Sequence, residues 1–528
     1  MDLERLVRAL SSPDAYPHPC DRVEVCHTHV SAVFLAGPYA YKVKKPLDLG
    51  FLDFSTLEKR RHFCHEEVRV NRRLAPRVYL GVVPVTAHRG RVRVDGEGDV
   101  VEWAVWMRRL PEDATLLRRL GRGEVTPPEL DGLAQRIAGF HREAERGPHV
   151  SRFGRWDVVA RNARENFEQT RGHRGRAVDP GVWDRVRDLT EEALERLKPL
   201  VEDRAARGLP CDTHGDLHLE HVYRFPGRPE PEDWVVVDAI EFNERFRYAD
   251  PVADAAFLVM DLAFRGRRDL AGRFGRAYLE AAADPEGGQL LPFYTAYRAV
   301  VRAKVEGLAA AEPEVPPEQR RRALASARAH WLLALGELEA PARRPALVAV
   351  GGLPGTGKST LARALAESLG FQVIASDRVR KELAGLAPEE RAPAPYGQGI
   401  YTPGWTEATY REMLRRAGGI LSRGGRVVLD ATFREERWRR AVVEAAARRG
   451  VRTVILVCVA PEAAVRQRLA GPREGPSDAG WAVYLEAARR WEPAGPETAP
   501  WCRAVDTGGA PDQALEAARR HLEEAGLA

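Results

Sequence analysis

Between Ala346 and Leu361 the chain reads ALVAVGGLPGTGKSTL, a segment whose residue types could hold a phosphate. Gly352, Gly357, Lys358 and Ser359 satisfy the spacing G-x-x-x-x-G-K-[ST], with Gly355 inside the turn and Thr360 just after it. Glycines let backbone N–H groups fold around an anion, and a following helix N-terminus adds donors and a favourable dipole. Lys358 can reach the β- and γ-phosphates of ATP or GTP, and Ser359 can offer its hydroxyl to Mg²⁺. A plain Gly-rich turn is the alternative, but an apolar strand precedes the segment and a helical pattern follows it.

A second constellation lies 130 residues upstream, where residues 211–222 read CDTHGDLHLEHV. Asp216 is a carboxylate in a polar loop, and 22 residues later the apolar run from Trp234 to Val237 ends in Asp238. Asp250-Pro-Val-Ala-Asp254 follows. Nearer the start, alternation around Gly37-Pro38 predicts a β-hairpin. Its second strand sets Ala40, Lys42 and Lys44 on one face. A helix over Thr56 to Leu74 then carries Phe63, Glu67, Val70 and Leu74 on one stripe. Glu67 thus sits on an apolar face, where a carboxylate is costly unless paired. Lys42 and Glu67 can form a phosphate-positioning pair or a surface ion pair, and Glu66 is the rival acid. Phosphoryl transfer needs one carboxylate near the acceptor hydroxyl and another near metal.

In order and spacing, His-Gly-Asp-Leu-His, a strand ending in Asp, and Asp-Pro-x-x-Asp resemble the aminoglycoside phosphotransferase-like branch of the protein-kinase-like fold. The resemblance implies that Asp216 is the catalytic base, Asp238 the principal Mg²⁺ ligand and Lys42–Glu67 the phosphate-positioning pair. His214 and Asp254 would brace the catalytic loop. One position departs from the family: His221 stands where Asn is the second metal ligand, and imidazole suits Mg²⁺ poorly. Either His221 has another part, or the second metal is weak, or this lobe has ceased to transfer phosphate. A Gly-rich loop is also missing, with Thr28 to Ser31 in its place.

After the phosphate loop a strand ends in Ser376-Asp377-Arg378-Val379-Arg380. A carboxylate just past the second strand faces the γ-phosphate pocket, although Asp377 could instead be a helix N-cap. The stretch resembles P-loop small-molecule and polynucleotide kinases, including zeta-toxin-like and gluconate-kinase-like proteins. By that resemblance Asp377 is the base and Arg380 binds an anionic acceptor or the transition state. Arg426 to Leu429 forms a buried strand delivering Asp430, the expected Mg²⁺-orienting acid. Pro461 to Arg473 falls where such kinases carry a lid, with Arg466 or Arg468 as a transition-state cation. The loop Arg391 to Thr406, with Tyr396, Tyr401 and Trp405, could cover an acceptor or lie passive on the surface.

These residues need three bodies to position them: a kinase-like N-lobe over 1–110, a helical C-lobe with the catalytic loop over 111–340, and a P-loop domain over 345–528. The fold class expected is an α+β protein-kinase-like domain followed by an α/β domain with a parallel sheet. A chain of 528 residues exceeds one core. Its order resembles bifunctional aminoglycoside phosphotransferase/ATP-binding fusions, implying two kinase-like sites that use ATP or GTP with Mg²⁺ on a hydroxyl acceptor. The acceptor could be a sugar, an aminocyclitol, a nucleoside or a nucleic-acid end. Two alternatives keep one active site: a polynucleotide kinase whose N-terminal lobe grips substrate, or a P-loop enzyme regulated by a degenerate nucleotide-binding lobe. The net charge of +5 gives little support to a nucleic-acid partner. Only eight of 81 cations are lysine, so each lysine merits attention. Six scattered cysteines without a C-x-x-C pair point to a reducing compartment. No signal peptide and no apolar run long enough for a membrane span are read, so a cytoplasmic location is expected.

Overall fold

The strands β2 (Ser31–Ala36) and β3 (Tyr39–Lys44) form the expected hairpin, with Ala36 opposite Tyr39 across the Gly37-Pro38 turn. They belong to a six-stranded antiparallel sheet completed by β1 (Val23–His27), β4 (Tyr79–His88), β5 (Arg91–Val94) and β6 (Asp99–Arg108), ordered β1-β2-β3-β6-β4-β5. One face of this sheet buries Phe34, Tyr41, Val43 and Ala104 with Leu6 and Leu10 of an N-terminal helix. Against the other face lies the helix Leu57–Asn71, capped by the Thr56 hydroxyl and packed through Cys64 and Val68 onto Tyr79 and Val105. Period-2 alternation along β3 therefore turns Tyr41 and Val43 into the first core and sends Lys42 and Lys44 toward the helix. The structure, a computed structural model, describes residues 2–50, 52–229, 233–387, 390, 397–471 and 480–528.

Two short antiparallel pairs carry the second constellation. β7 (Cys211–Asp212) pairs with β10 (Tyr248–Ala249), and β8 (Val222–Arg224) pairs with β9 (Trp234–Val236). The loop holding Asp216 runs from β7 to β8, and Asp238 follows β9 within two residues.

The remaining sheet is parallel throughout, in the order β12-β13-β11-β14-β15, from β11 (Ala346–Gly352), β12 (Gln372–Ala375), β13 (Arg426–Asp430), β14 (Arg452–Val459) and β15 (Cys502–Asp506). All seven residues of the central β11 are buried, as a strand covered on both faces requires. The chain crosses from one side of β11 to the other between β13 and β14. That reversal leaves a crevice at the carboxyl ends of the strands, where open α/β sheets hold their ligands.

Two compact units result, interleaved along the chain. One comprises residues 1–161, 196–262 and 269–294; the other comprises 162–195, 263–268 and 295–528. The helix Pro317–Leu338 belongs wholly to the second unit. Its Glu337 lies between Arg268, at 2.5 Å, and Arg452 of β14, at 3.4 Å. The helix Gly287–Ala309 also falls in the second unit from Thr295 onward, where its Lys304 donates to Asn166 and Gln169. No helix among the described residues is long and apolar enough to cross a membrane.

Candidate active sites

In the first unit the side chains converge on Glu67. Its two oxygens meet Lys42 at 2.9 Å and Lys44 at 2.7 Å, and its side chain is fully buried. Glu66 turns outward onto Arg69, and Glu67 is the acid that pairs with Lys42. Lys42 also reaches Asp238 Oδ1 at 2.5 Å, while Lys44 pairs with Glu241 and stands over the Phe54 ring. Two ammonium groups thus face three carboxylates. Burial alone would raise the pKa of Glu67, but Lys42 and Lys44 outweigh it and hold the carboxyl below its ordinary range. Glu241, the acid left over, is pushed up by burial despite Lys44. Burial would also lower both lysines, yet Asp238 and Glu67 raise Lys42 and the two glutamates raise Lys44.

Asp238 adopts φ +66°, a left-handed conformation that aspartate tolerates better than most residues. Its N–H donates to the Tyr79 hydroxyl at 3.1 Å, and the next N–H donates to Asn71 Oδ1 at 2.8 Å. These two bonds hold the turn that aims the carboxylate back at Lys42. Burial would raise Asp238, but Lys42 and then His221 hold it well below the usual carboxylate range. Its side chain still keeps 43% of its surface open to solvent.

The loop bearing Asp216 is braced from behind. Asp254 accepts from the N–H groups of His214 at 3.0 Å and Gly215 at 2.9 Å, and its Oδ2 also meets His141 Nε2 at 3.1 Å. His141 is fixed in turn by the Tyr278 hydroxyl at 2.8 Å. Gly215 has φ +85°, and a Cβ there would meet the Phe246 carbonyl at 2.8 Å, so glycine is required. His214 Nε2 lies 2.9 Å from the Val237 carbonyl, which can only accept, and its Nδ1 receives the Asp216 N–H at 3.3 Å. The ring is therefore the neutral Nε2–H tautomer. Burial lowers its pKa to about 4, in agreement. One imidazole thus ties the Asp216 loop to the Asp238 strand.

His221 bridges the two acids. Its Nδ1 donates to the Asp216 carbonyl at 2.9 Å and lies 3.7 Å from Asp216 Oδ2, while its Nε2 lies 3.6 Å from Asp238 Oδ2. His218 Nε2 stands 3.5 Å from Asp216 Oδ2, with its ring centroid 3.8 Å from that of His221. Asp238 offers Mg²⁺ an oxygen, but the second position presents nitrogen. The residues present do not fit a pair of magnesium ions.

In the second unit the phosphate segment is curled. Gly352, Gly355 and Gly357 have φ of +136°, +78° and +88°. A Cβ on Gly352 would come within 2.6 Å of the Cys458 carbonyl. Lys358 opens the helix Lys358–Leu369, and its Nζ donates to the Leu353 carbonyl at 2.9 Å, across the loop. Ser359 lies beside Asp430, while Thr360 is exposed on the same helical turn. Register explains the meeting: Asp430 at the end of β13 lies opposite Val350 on one side and Ala375 on the other. Burial raises the pKa of Asp430, Lys358 and Ser359 pull it down, and the negative charge of Asp377 adds to the rise. The Ser359 and Asp430 oxygens are the hard donors that Mg²⁺ takes.

Asp377 sits in the first turn of the helix Ser376–Leu383. The capping position is Ala375, so Asp377 is not the N-cap. Arg380 departs from expectation. Only 6% exposed, it donates to the Ile400 carbonyl at 2.9 Å and to Thr406 at 3.4 Å, and it covers the Tyr401 ring. The helix turns it inward onto Ile400, Tyr401 and Thr406 rather than toward an acceptor. Of the two arginines expected in a lid, Arg468 donates to the Thr507 carbonyl at 2.7 Å, and its Nη1 lies 3.7 Å from where a Cβ on Gly357 would be. Arg466 instead covers the Trp481 ring. Arg473 and Tyr396 lie outside the described residues.

Sequence reasoning missed Lys44, Glu241, Asn71, Tyr79 and His141. Lys44 carried a signal, since it shares the strand face of Lys42. The other four act across elements far apart in the chain and carried none.

Residues 347–493 match the family model described as an AAA domain. Over 468 residues the chain is 35% identical to Uncharacterized protein Rv2004c of Mycobacterium tuberculosis (strain ATCC 25618 / H37Rv), covering 89% of this chain and 90% of the relative. Uncharacterized protein Mb2027c of Mycobacterium bovis matches to the same extent. The chain belongs to this family. The match is longer than either unit, so the family shares parts of both. Among solved structures, a gluconokinase from Sinorhizobium meliloti 1021 is 19% identical, covering 34% of this chain and 94% of its own, with a TM-score of 0.25. A choline/ethanolamine kinase family protein from Mesorhizobium loti is 14% identical, covering 64% and 95%, with a TM-score of 0.36.

Proposed function

We propose that the protein is a phosphotransferase with two sites, each moving the γ-phosphoryl group of ATP or GTP to a hydroxyl acceptor, and that the P-loop site is the principal one. The observation that carries this reading is the meeting of Lys358, Ser359, Asp430 and Asp377 at the carboxyl edge of the parallel sheet. Bound there, the nucleotide·Mg²⁺ complex would supply the phosphoryl group and neutralise its charge. The curled loop turns backbone donors toward the phosphates, and Lys358 exchanges the Leu353 carbonyl for a phosphate oxygen. Asp377 accepts the proton of the acceptor hydroxyl, with its carboxylate near Asp430. Arg468 stands beside Gly357, where a cation would meet transition-state charge.

In the first unit Asp216 takes the base role, on a loop held by Asp254 and His214. Lys42, fixed between Glu67 and Asp238, orients the phosphates. A second reading, in which this unit only senses nucleotide, draws on His221 in the second metal position. Nucleotide turnover by Lys358→Ala and Asp216→Ala, each against a panel of sugar, aminocyclitol, nucleoside and oligonucleotide hydroxyls, separates them. Two sites predict that each variant loses a different phosphorylated product. If Asp216→Ala loses nothing while Lys358→Ala loses all transfer, the sensor reading replaces the two-site one.

A further inference from the structure

The loop Asp216–His221 holds more nitrogen than a magnesium-dependent phosphotransferase needs. One donor atom from each of Asp216, His218 and His221 can be chosen so that all lie within 4.8 Å of one another; among the described residues no other group of three such side chains does this. The measured pairs are tighter: 3.5 Å from His218 Nε2 to Asp216 Oδ2, 3.7 Å from His221 Nδ1 to the same oxygen, and 3.6 Å from His221 Nε2 to Asp238 Oδ2. Both edges of the His221 ring therefore face a carboxylate, Asp216 at Nδ1 and Asp238 at Nε2, and one ion can take only one of these nitrogens.

The donors that converge are two imidazoles and a carboxylate, a set suited to zinc-like ions and a poor one for Mg²⁺.

We infer that Asp216, His218 and His221 form a binding site for a first-row transition-metal ion of the Zn²⁺ class. The inference deepens the reading of the first unit as a phosphoryl-transfer centre, but the site stands on its donors alone and is tested without turnover. A base role for Asp216 is compatible with it, because the ion needs only one oxygen of that carboxylate.

The test uses the full-length protein, stripped with chelator and titrated with Co²⁺. The expected result is one bound ion with the intense visible absorption of a four-coordinate centre. Zn²⁺ displaces it stoichiometrically, while a thousandfold excess of Mg²⁺ does not. His221→Asn, which restores an amide oxygen at this position, and His218→Gln each weaken Co²⁺ binding more than about tenfold. Circular dichroism checks that both variants fold. Should either fail to fold, the Mg²⁺ competition on the unaltered protein decides. Unchanged Co²⁺ affinity in folded His221→Asn and His218→Gln, or ready displacement by Mg²⁺, overturns the inference. Metal binding with no Asp216-dependent phosphoryl transfer would sink the kinase reading of this unit and leave the metal site intact. Transfer that depends on Asp216 but shows no Co²⁺ site would do the reverse.

Discussion

Lys44 reaches the second oxygen of Glu67 at 2.7 Å, leaving the first to Lys42. A glutamate with one phosphate-positioning partner would lose it whenever Lys42 turned to a nucleotide. Here Glu67 keeps an ammonium at all times, and Lys42 is free to be shared with Asp238. Lys44 itself is 1% exposed and also compensates Glu241, so its role is to hold charge in the interior.

Replacement of Lys44 by methionine should therefore unfold the first unit before it touches chemistry. Leaving two buried carboxylates with one lysine costs about 3–5 kcal/mol. We expect a lower urea midpoint for the transition of this unit. Lys42→Met should cost less stability and more nucleotide affinity, since Lys42 faces the more open Asp238. Equal midpoints for Lys44→Met and the parent protein would refute the assignment.

Asp254→Asn is expected to act on the site without touching substrate. The carboxylate accepts two backbone N–H groups, one on each oxygen, and an amide can match only one of them. Displacement of the Asp216 loop by about 1 Å can reduce transfer about 100-fold. Phosphoryl transfer that depends on Asp216 should fall accordingly, and turnover that depends on Lys358 should not change. Comparison of the two rates in one preparation checks this.

In the P-loop unit, Gly352→Ala should resemble Lys358→Ala in function but not in stability. The added Cβ collides with the Cys458 carbonyl at φ +136°, a strain of about 1–3 kcal/mol. Lys358→Ala removes only a bond to the Leu353 carbonyl. Both variants should lose nucleotide-induced thermal stabilisation, and only Gly352→Ala should melt earlier without nucleotide. A Gly352→Ala protein that still gains stability from ATP would contradict the cradle.

Acid should loosen the second unit through Glu337. Burial would raise this carboxyl, but Arg268 and Arg452 hold it below its ordinary value of 4.5. With the folded pKa depressed, its contribution is fully present above pH 4.5 and is lost as pH falls through the folded value. Glu337→Gln should lower stability at neutral pH and flatten the decline below pH 4.5. Parallel stability curves for the two proteins across pH 3–7 would refute it.

Much of this was readable from residue order. The hairpin around Gly37-Pro38, the helix with Glu67 on its apolar stripe, and the strand endings at Asp238, Asp377 and Asp430 all follow from periodicity and turn chemistry, which are local. So does the curled loop, because only glycine tolerates its positive φ at Gly352, Gly355 and Gly357. Tertiary structure alone decided which charges meet. Lys44 could not be told from a solvent-facing strand lysine until Glu67 and Glu241 were seen beneath it. Arg380 looked like an acceptor ligand until its helix turned it onto Ile400 and Thr406. His221 looked like a faulty asparagine until His218 and two carboxylates were found around it. Secondary structure is dictated by neighbours in the chain, whereas the partner of a buried charge is chosen by whatever the fold brings within 4 Å, at sequence separations such as the 196 residues from Lys42 to Asp238.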